Sequence, residues 1–190
     1  PHVRTLPVYL PAGYDAEPDR RYPVIWVLAP FTSWGERLFN LQAWDDNIVQ
    51  RMDRLVEEGK AQPAILAFPD CFTRYGGSQY LNSSAVGRYE DYVTRELVPL
   101  VAKRFRTLAG REHRAVMGHS SGGYGAWMLA IRHPDLFSAI ATHSGDAFFE
   151  YCYWPDIPPA IRYIANIGGL DAFLERFATI RDQGRDWGSA

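Results

Sequence analysis

The sequence predicts an α/β fold, in which a mostly parallel sheet carries helices on both of its faces. Two continuous apolar runs, at residues 22–28 and 63–68, are typical of strands buried on both sides. Segments with a helical spacing of apolar residues, at 43–58 and 90–105, follow each of these runs. Strands separated by helices of this length indicate βαβ units and therefore a parallel sheet.

The remaining elements are predicted from the same patterns. Further strands are expected at residues 3–10, 114–117 and 139–142, and further helices at 124–132 and across most of 159–182. Gly59 is expected to end the first helix, and Pro99 is expected to kink the second. His133 precedes a proline and so ends the helix at 124–132. Residues 71–88 are predicted to form a long loop rich in Gly, Ser and Tyr.

Composition and charge exclude several classes of protein. The length of 190 residues predicts one domain, and a formal net charge of −2 without a basic stripe argues against nucleic-acid binding. No apolar run approaches the roughly 18 residues of a membrane span. Cys71 and Cys152 are too few for a disulfide framework or a metal site. No signal peptide is present, but the chain begins at Pro1 without an initiator methionine, so no compartment is predicted.

The sequence pattern changes after residue 147. Residues 148–154 are dense in aromatic side chains, and residues 155–159 contain three prolines. We therefore expect a core at 1–147 and a helical, cap-like insertion at 148–190 over the active site.

The segment Gly118-His119-Ser120-Ser121-Gly122 is the most informative motif. It lies between a predicted strand and a predicted helix, which is where a Gly-x-Ser-x-Gly nucleophile elbow requires it. Such a tight turn strains the backbone of the serine and places it at the carboxyl edge of the sheet, where ligands bind in open α/β folds. The motif predicts Ser120 as a nucleophile for acyl carbonyls in an α/β-hydrolase-type fold.

The residues beside Ser120 fit the same interpretation. Side chains at Gly118 and Gly122 would collide with the neighbouring strand and helix, which must pack closely there. The Ser121 N–H opens the helix, and a helix N-terminus favours developing negative charge. Ser121 is therefore predicted as one oxyanion-hole donor.

Longer stretches around the motif narrow the class. The chain reads GHSSGGYGA at 118–126, HPDLF at 133–137, VYLPAGY at 8–14, RYPVIWVL at 21–28 and ELVP at 96–99. These stretches resemble the Putative esterase (esterase D-like) family of the α/β-hydrolase superfamily, over roughly residues 3–145. The resemblance implies an acyl-serine mechanism on a fold of this kind.

The resemblance also implies a second oxyanion donor in the loop after the first core strand. Many family members have His-Gly or Asp-Gly in this loop, whereas this chain reads Ala29-Pro30-Phe31-Thr32. Because Pro30 has no N–H, Phe31 is the predicted donor and Thr32 is the alternative.

The partners of Ser120 are harder to place. The fold orders its triad as Ser, then Asp or Glu, then His, and no histidine follows His143. We therefore expect the triad Asp and His beyond residue 190 and interpret the chain as a fragment. His143 and Asp146 are the alternative partners within the chain, because Asp146 could orient His143 toward Ser120. His119, next to Ser120, is predicted to pack beside the elbow.

Substrate contacts are predicted from Thr32, Tyr80, His119 and His143. Tyr80 belongs to the 71–88 loop, which could form a pocket with the aromatic side chains of 148–154. Such a pocket would suit a planar or sugar-like group. Asp70 follows a strand at the same edge and is either a pocket-rim residue or a turn acid.

These observations predict a carboxylic ester hydrolase that acts on a small-molecule ester through an acyl-Ser120 intermediate. The chemistry needs no cofactor and no metal. An acyltransferase is the alternative on the same fold, since an alcohol can replace water as the acceptor. If the natural chain ends at residue 190, the alternative is a non-catalytic binding or structural domain. Association into a homo-oligomer is also possible.

Overall fold

The computed structural model describes residues 3–182. Within this range the strands are Val8–Tyr9 (β1), Val24–Leu28 (β2), Ile65–Ala67 (β3), Asn82–Ser83 (β4), Gly87–Arg88 (β5), Arg114–His119 (β6) and Ala139–His143 (β7). The α-helices are Ile48–Glu57 (α1), Tyr89–Asp91 (α2), Val98–Arg104 (α3), Ser121–Arg132 (α4), Phe149–Cys152 (α5), Ile157–Asn166 (α6) and Leu170–Asp182 (α7). Short 3₁₀ turns lie at Gly35–Phe39, Arg111–His113 and Trp154–Asp156, and a π-helix spans Tyr92–Leu97.

The main sheet has the order β1-β3-β2-β6-β7. Strands β3, β2, β6 and β7 are parallel, and β1 is antiparallel to β3. This confirms the predicted mostly parallel α/β fold. The strand predicted at 3–10 forms only at Val8–Tyr9, because the proline on either side, at Pro7 and Pro11, has no N–H to donate to a ladder.

Two apolar clusters cover opposite faces of the sheet, so helices pack on both sides as predicted. Trp26 and Val116 point into the larger cluster, with Leu97 and Leu129 from the surrounding helices. Val27 points into the smaller cluster, against α1. The side chains of β2 thus point alternately into the two clusters, which explains why the whole strand is apolar.

Helix α1 begins later than its apolar spacing predicts. The Asn47 side chain accepts hydrogen bonds from the N–H groups of Val49 and Gln50, and the Gln50 side chain accepts one from the Asn47 N–H. This reciprocal capping box fixes the first turn at Ile48 instead of residue 43. Gly59 follows the helix with a φ of 67°, as expected for a residue that ends it.

The second predicted helix is continuous from α2 through the π-helix to α3. Pro99 lies at the start of α3, directly after the π-helix. A proline inside an α-helix leaves a carbonyl without its donor, and a π-helix is one way to change the hydrogen-bond register. The predicted kink is therefore a change of helix type.

The chain divides into two compact units, Pro1–Asp146 and Ala147–Ala190. The first holds both sheets. The second is helical where it is described, with α6 and α7 joined at Gly168 and Gly169 and the Tyr163 ring lying against the Phe173 ring. A cap role for this unit stays a prediction, and part of it, residues 183–190, lies outside the described residues.

Candidate active site

Ser120 forms the turn between β6 and α4. Its backbone has a φ of 54° and a ψ of −123°, a region that a residue with a side chain adopts only where its surroundings enforce it. The Ser120 N–H donates to the His143 carbonyl at 2.9 Å, and the Ser120 carbonyl accepts from the Tyr124 N–H at 2.9 Å. These bonds tie the strained turn to β7 and to the first turn of α4.

The two glycines of the motif allow strand, turn and helix to touch. A Cβ at Gly118 would lie 2.3 Å from the Gly122 carbonyl oxygen, and one at Gly122 would lie 2.2 Å from the Leu28 carbonyl oxygen. Both distances are far inside van der Waals contact and involve backbone atoms. The motif therefore needs glycine at each position for the reason that the sequence predicts.

Asp146 is the residue that contacts the nucleophile. The Ser120 Oγ donates to Asp146 Oδ1 at 3.0 Å, and the Ser121 Oγ donates to Asp146 Oδ2 at 2.9 Å. Asp146 follows β7, as Ser120 follows β6, and the two strands are parallel neighbours. One carboxylate thus accepts from both serines.

None of the described histidines forms a hydrogen-bonded triad with Ser120. Within residues 3–182, no histidine hydrogen-bonds the Ser120 hydroxyl. His119 and His143 are both exposed, and their rings lie 4.9 Å apart at an angle of 35°. The Asp146 carboxylate accepts from the two serines, and a set in which Asp146 orients His143 stays a prediction. The pair of imidazoles stands beside the elbow, and a substrate contact by either ring stays a prediction.

The two predicted oxyanion donors come from different elements. Ser121 is the first residue of α4, so its N–H has no acceptor within the helix. The Thr32 N–H donates to the Gly76 carbonyl at 2.7 Å, which removes Thr32 as the alternative donor. In the described part of the chain, the Phe31 N–H makes no hydrogen bond and stays available. Thr32 is exposed in this loop, and its role as a substrate contact stays a prediction.

Tyr80 corrects a prediction. The sequence predicts it as a substrate contact, but only 3% of its surface is exposed. Its phenol donates to the Ala29 carbonyl at 2.7 Å. Tyr80 therefore supports the loop that carries Phe31 and cannot touch a substrate directly. The sequence signal was the composition of the 71–88 loop, which does not tell in which direction a ring points.

A pocket of about 310 Å³ lies near the carboxyl end of β3. Its lining residues are Thr5, Pro7, Trp34, Glu36, Asp70 and Phe72. Asp70 accepts from the Phe72 N–H at 2.9 Å and pairs with Arg4 at 3.2 Å. Asp70 is thus both a rim residue and a turn acid. Sequence reasoning missed Trp34 and Phe72, whose rings meet edge to face.

Among the described residues, no group of three or more His, Cys, Asp and Glu side chains could hold a metal ion. No helix in that range is long and apolar enough to cross a membrane.

A strained serine between a strand and a helix, at the edge of a mostly parallel sheet, defines an α/β-hydrolase. The family model described as "Putative esterase" matches residues 1–162. The chain belongs to this family.

Known relatives share most of this chain but are longer. An endo-1,4-beta-xylanase/feruloyl esterase of Xylanibacter ruminicola is 29% identical over 175 residues, which are 85% of this chain and 22% of the relative. An esterase of Mycobacterium tuberculosis is 33% identical over 174 residues, which are 85% of this chain and 34% of the relative. A solved ferulic acid esterase matches with a TM-score of 0.63 at 28% identity, over 74% of this chain and 53% of that one. The chain spans about a fifth and about a third of the length of these two curated relatives.

Proposed function

We propose that the protein containing this chain hydrolyses carboxylic esters through an acyl-Ser120 intermediate. The observation that carries the proposal is the strained backbone of Ser120 at the N-terminus of α4. The family supports ester hydrolysis, and two relatives carry the names feruloyl esterase and ferulic acid esterase. Esters of hydroxycinnamic acids are therefore the first substrates to test.

The first chemical step joins Ser120 to the acyl group. The Ser120 Oγ attacks the ester carbonyl while its proton passes to a base, and the carbonyl electron pair moves onto the oxygen. The Ser121 and Phe31 N–H groups bind this oxyanion in the proposed mechanism. Collapse of the intermediate expels the alcohol, which takes the proton from the base. Water then adds to the acyl-enzyme in the same way and releases the acid.

We infer that the base is a histidine supplied by the chain beyond residue 190, together with its orienting acid. Asp146 is a poorer base than a histidine for this step, because a carboxylate binds a proton more weakly than an imidazole does. The contact between Asp146 and Ser120 is instead a resting hydrogen bond. This hydrogen bond must break when the histidine accepts the proton of the Ser120 hydroxyl.

Ser120→Ala in the full-length protein tests the proposal. We expect hydrolysis of a chromogenic short-chain ester and of methyl ferulate to fall by about 10⁴-fold or more in kcat, because the nucleophile is lost. Ser138→Ala is the matched control. This exposed serine directly precedes β7, at the amino ends of the parallel strands, whereas Ser120 lies at their carboxyl ends. Hydrolysis retained by the Ser120→Ala variant would overturn the proposal. Transfer of the acyl group to an added alcohol instead of water would redefine the protein as an acyltransferase.

A further inference from the structure

Tyr80 links the two elements that carry the proposed oxyanion donors. On one side, its phenol donates to the carbonyl of Ala29, two residues before Phe31. On the other, its ring lies against α4 at Gly125, where a Cβ would be 2.5 Å from Tyr80 Cδ2. Helix α4 begins with Ser121, the other donor. A single buried side chain therefore contacts both elements that carry the donors.

The backbone of Tyr80 is strained to make this contact. Its φ is 58°, in the left-handed region that a residue other than glycine rarely adopts. Thr32, at the far end of the Phe31 loop, has a φ of 60°. Strain at both residues persists only if the surrounding contacts hold them in place.

The loop that contains Tyr80 holds the Phe31 loop at a second point. The Thr32 N–H donates to Gly76, and the Phe31 ring lies so close to Gly77 that a Cβ there would be 2.8 Å from Cδ2. The Thr73 Oγ in turn donates to the Gly77 carbonyl at 2.7 Å, which fixes this part of the loop. The Phe31 peptide is therefore held from both ends, by Tyr80 at Ala29 and by Gly76 at Thr32.

We propose that Tyr80 is a positioning residue that sets the separation of the two oxyanion donors, Ser121 N–H and Phe31 N–H. This inference rests on the proposed function. Pro30 fixes one backbone angle between Ala29 and Phe31, so anchoring the Ala29 carbonyl restricts where the Phe31 N–H points. An oxyanion hole accelerates the reaction only if its donors are aligned before the charge develops. Burial raises the pKa of the Tyr80 phenol well above its ordinary value, so the group remains a donor.

Tyr80→Phe in the full-length protein removes the hydrogen bond and keeps the ring over Gly125. We expect kcat to fall by about 10- to 100-fold with KM nearly unchanged, because a misaligned donor is lost mainly in the transition state. The inhibition constant of a boronic acid, which forms a tetrahedral adduct on Ser120, should rise by a similar factor. If Tyr80 were merely structural, its substitution would lower the folded fraction, and kcat and the boronic acid inhibition constant would not change by a similar factor.

Two control variants separate alignment from stability. Tyr22→Phe removes a buried phenol that has no hydrogen-bond partner among the described residues; Tyr22 precedes β2, at the end of that strand away from the site. Thr94→Val removes a buried hydroxyl that donates to the Glu90 carbonyl at 2.7 Å. Both should leave kcat and the boronic acid constant unchanged, and Thr94→Val should lower the melting temperature.

Gly125→Ala tests the same contact from the helix, since the added methyl group displaces the Tyr80 ring. It should also lower kcat and weaken boronic acid binding. Unchanged kcat and boronic acid affinity in folded Tyr80→Phe and Gly125→Ala proteins would overturn the role of Tyr80 while leaving Ser120 as nucleophile. Activity retained after Ser120→Ala would instead overturn the proposed function.

Discussion

Asp146 holds the hydroxyl groups of Ser120 and Ser121 with its two oxygens. The N-terminus of α4 favours this negative charge, because the helix dipole is positive there. The same carboxylate lies beside the place where a substrate carbonyl must bind. A negatively charged group on the acyl part of a substrate would be repelled by the Asp146 carboxylate. At a separation of about 7 Å and an effective dielectric constant near 20, that repulsion is about 2 kcal/mol.

Asp146→Asn should therefore change substrate preference. We expect the ratio of kcat/KM for an anionic ester, such as a monosuccinate, to kcat/KM for its neutral methyl ester to rise about 30-fold at low salt. The gain should shrink in high salt, since screening weakens the repulsion. Paired kinetics on both esters provide the measurement. A ratio equal to that of the unmodified protein would show that Asp146 does not affect selectivity.

At the scale of single residues, the sequence predicted the features that a local motif determines. Ser120 and the need for glycine at Gly118 and Gly122 follow from the motif, and the structure contains the strained turn. The contact of Asp146 with both serines and the burial of Tyr80 could not be predicted. Each depends on how two distant segments meet, which residue type and spacing do not specify.

Glu90 connects two helices on one side of the sheet. It is 4% exposed, accepts from Arg132 Nε at 2.9 Å and lies 2.9 Å from His133 Nε2. Burial favours the neutral form of this carboxyl, but the hydrogen bonds from Arg132 and His133 outweigh it, so the pKa of Glu90 is lowered. The helix that starts at Tyr89 is thereby joined to the end of α4, which carries the elbow at its other end.

Glu90→Gln should lower the free energy of unfolding by about 1–3 kcal/mol at pH 7, as expected for the loss of charged hydrogen bonds at a buried site. A lowered pKa in the folded state contributes stability above the unfolded pKa of about 4.3 and loses it as the pH falls through the folded value. The difference between the two proteins should therefore decrease below about pH 4. Urea unfolding at several pH values measures it.

Glu57→Gln provides the control for that experiment, because Glu57 is exposed and forms no ion pair among the described residues. It should change the unfolding free energy little at any pH. An effect of Glu90→Gln that is the same at pH 7 and at pH 3.5 would contradict the linkage.

The elements themselves were predicted well where apolar periodicity is long. Strands β2, β6 and β7 and helix α4 lie where the sequence places them, within a few residues. The start of α1 was missed by five residues, because the capping box of Asn47 outweighs the weak apolar pattern before it. The only sequence signal for the π-helix before Pro99 was a proline inside a predicted helix.

At the scale of the whole molecule, strand β7 is an exposed edge of the main sheet beside the candidate site. All five residues of β7 are exposed, and among residues 3–182 no strand pairs with its outer side. The strand Ala139–His143 contains no Lys, Arg, Asp or Glu, the usual guards of an edge strand. Trp127 and Ile131 of α4 add exposed apolar surface. Such an edge is a template for pairing with another strand.

We therefore expect the isolated 1–190 polypeptide to self-associate with increasing concentration. Ala141→Lys places a charge on β7 and should shift the sedimentation coefficient toward that of the monomer. Ala102→Lys, a charge on the exposed side of α3, is the matched control and should leave the association unchanged. Equal association of all three proteins would show that the edge of β7 is not involved.

The proposed mechanism depends on Ser120 as the nucleophile of the protein. Fluorophosphonate labelling of the full-length protein, followed by peptide mass spectrometry, tests it most directly. We expect one adduct, on the hydroxyl of Ser120, and none after Ser120→Ala. A folded full-length protein that takes up no label, or takes it up on Ser121, would contradict the account.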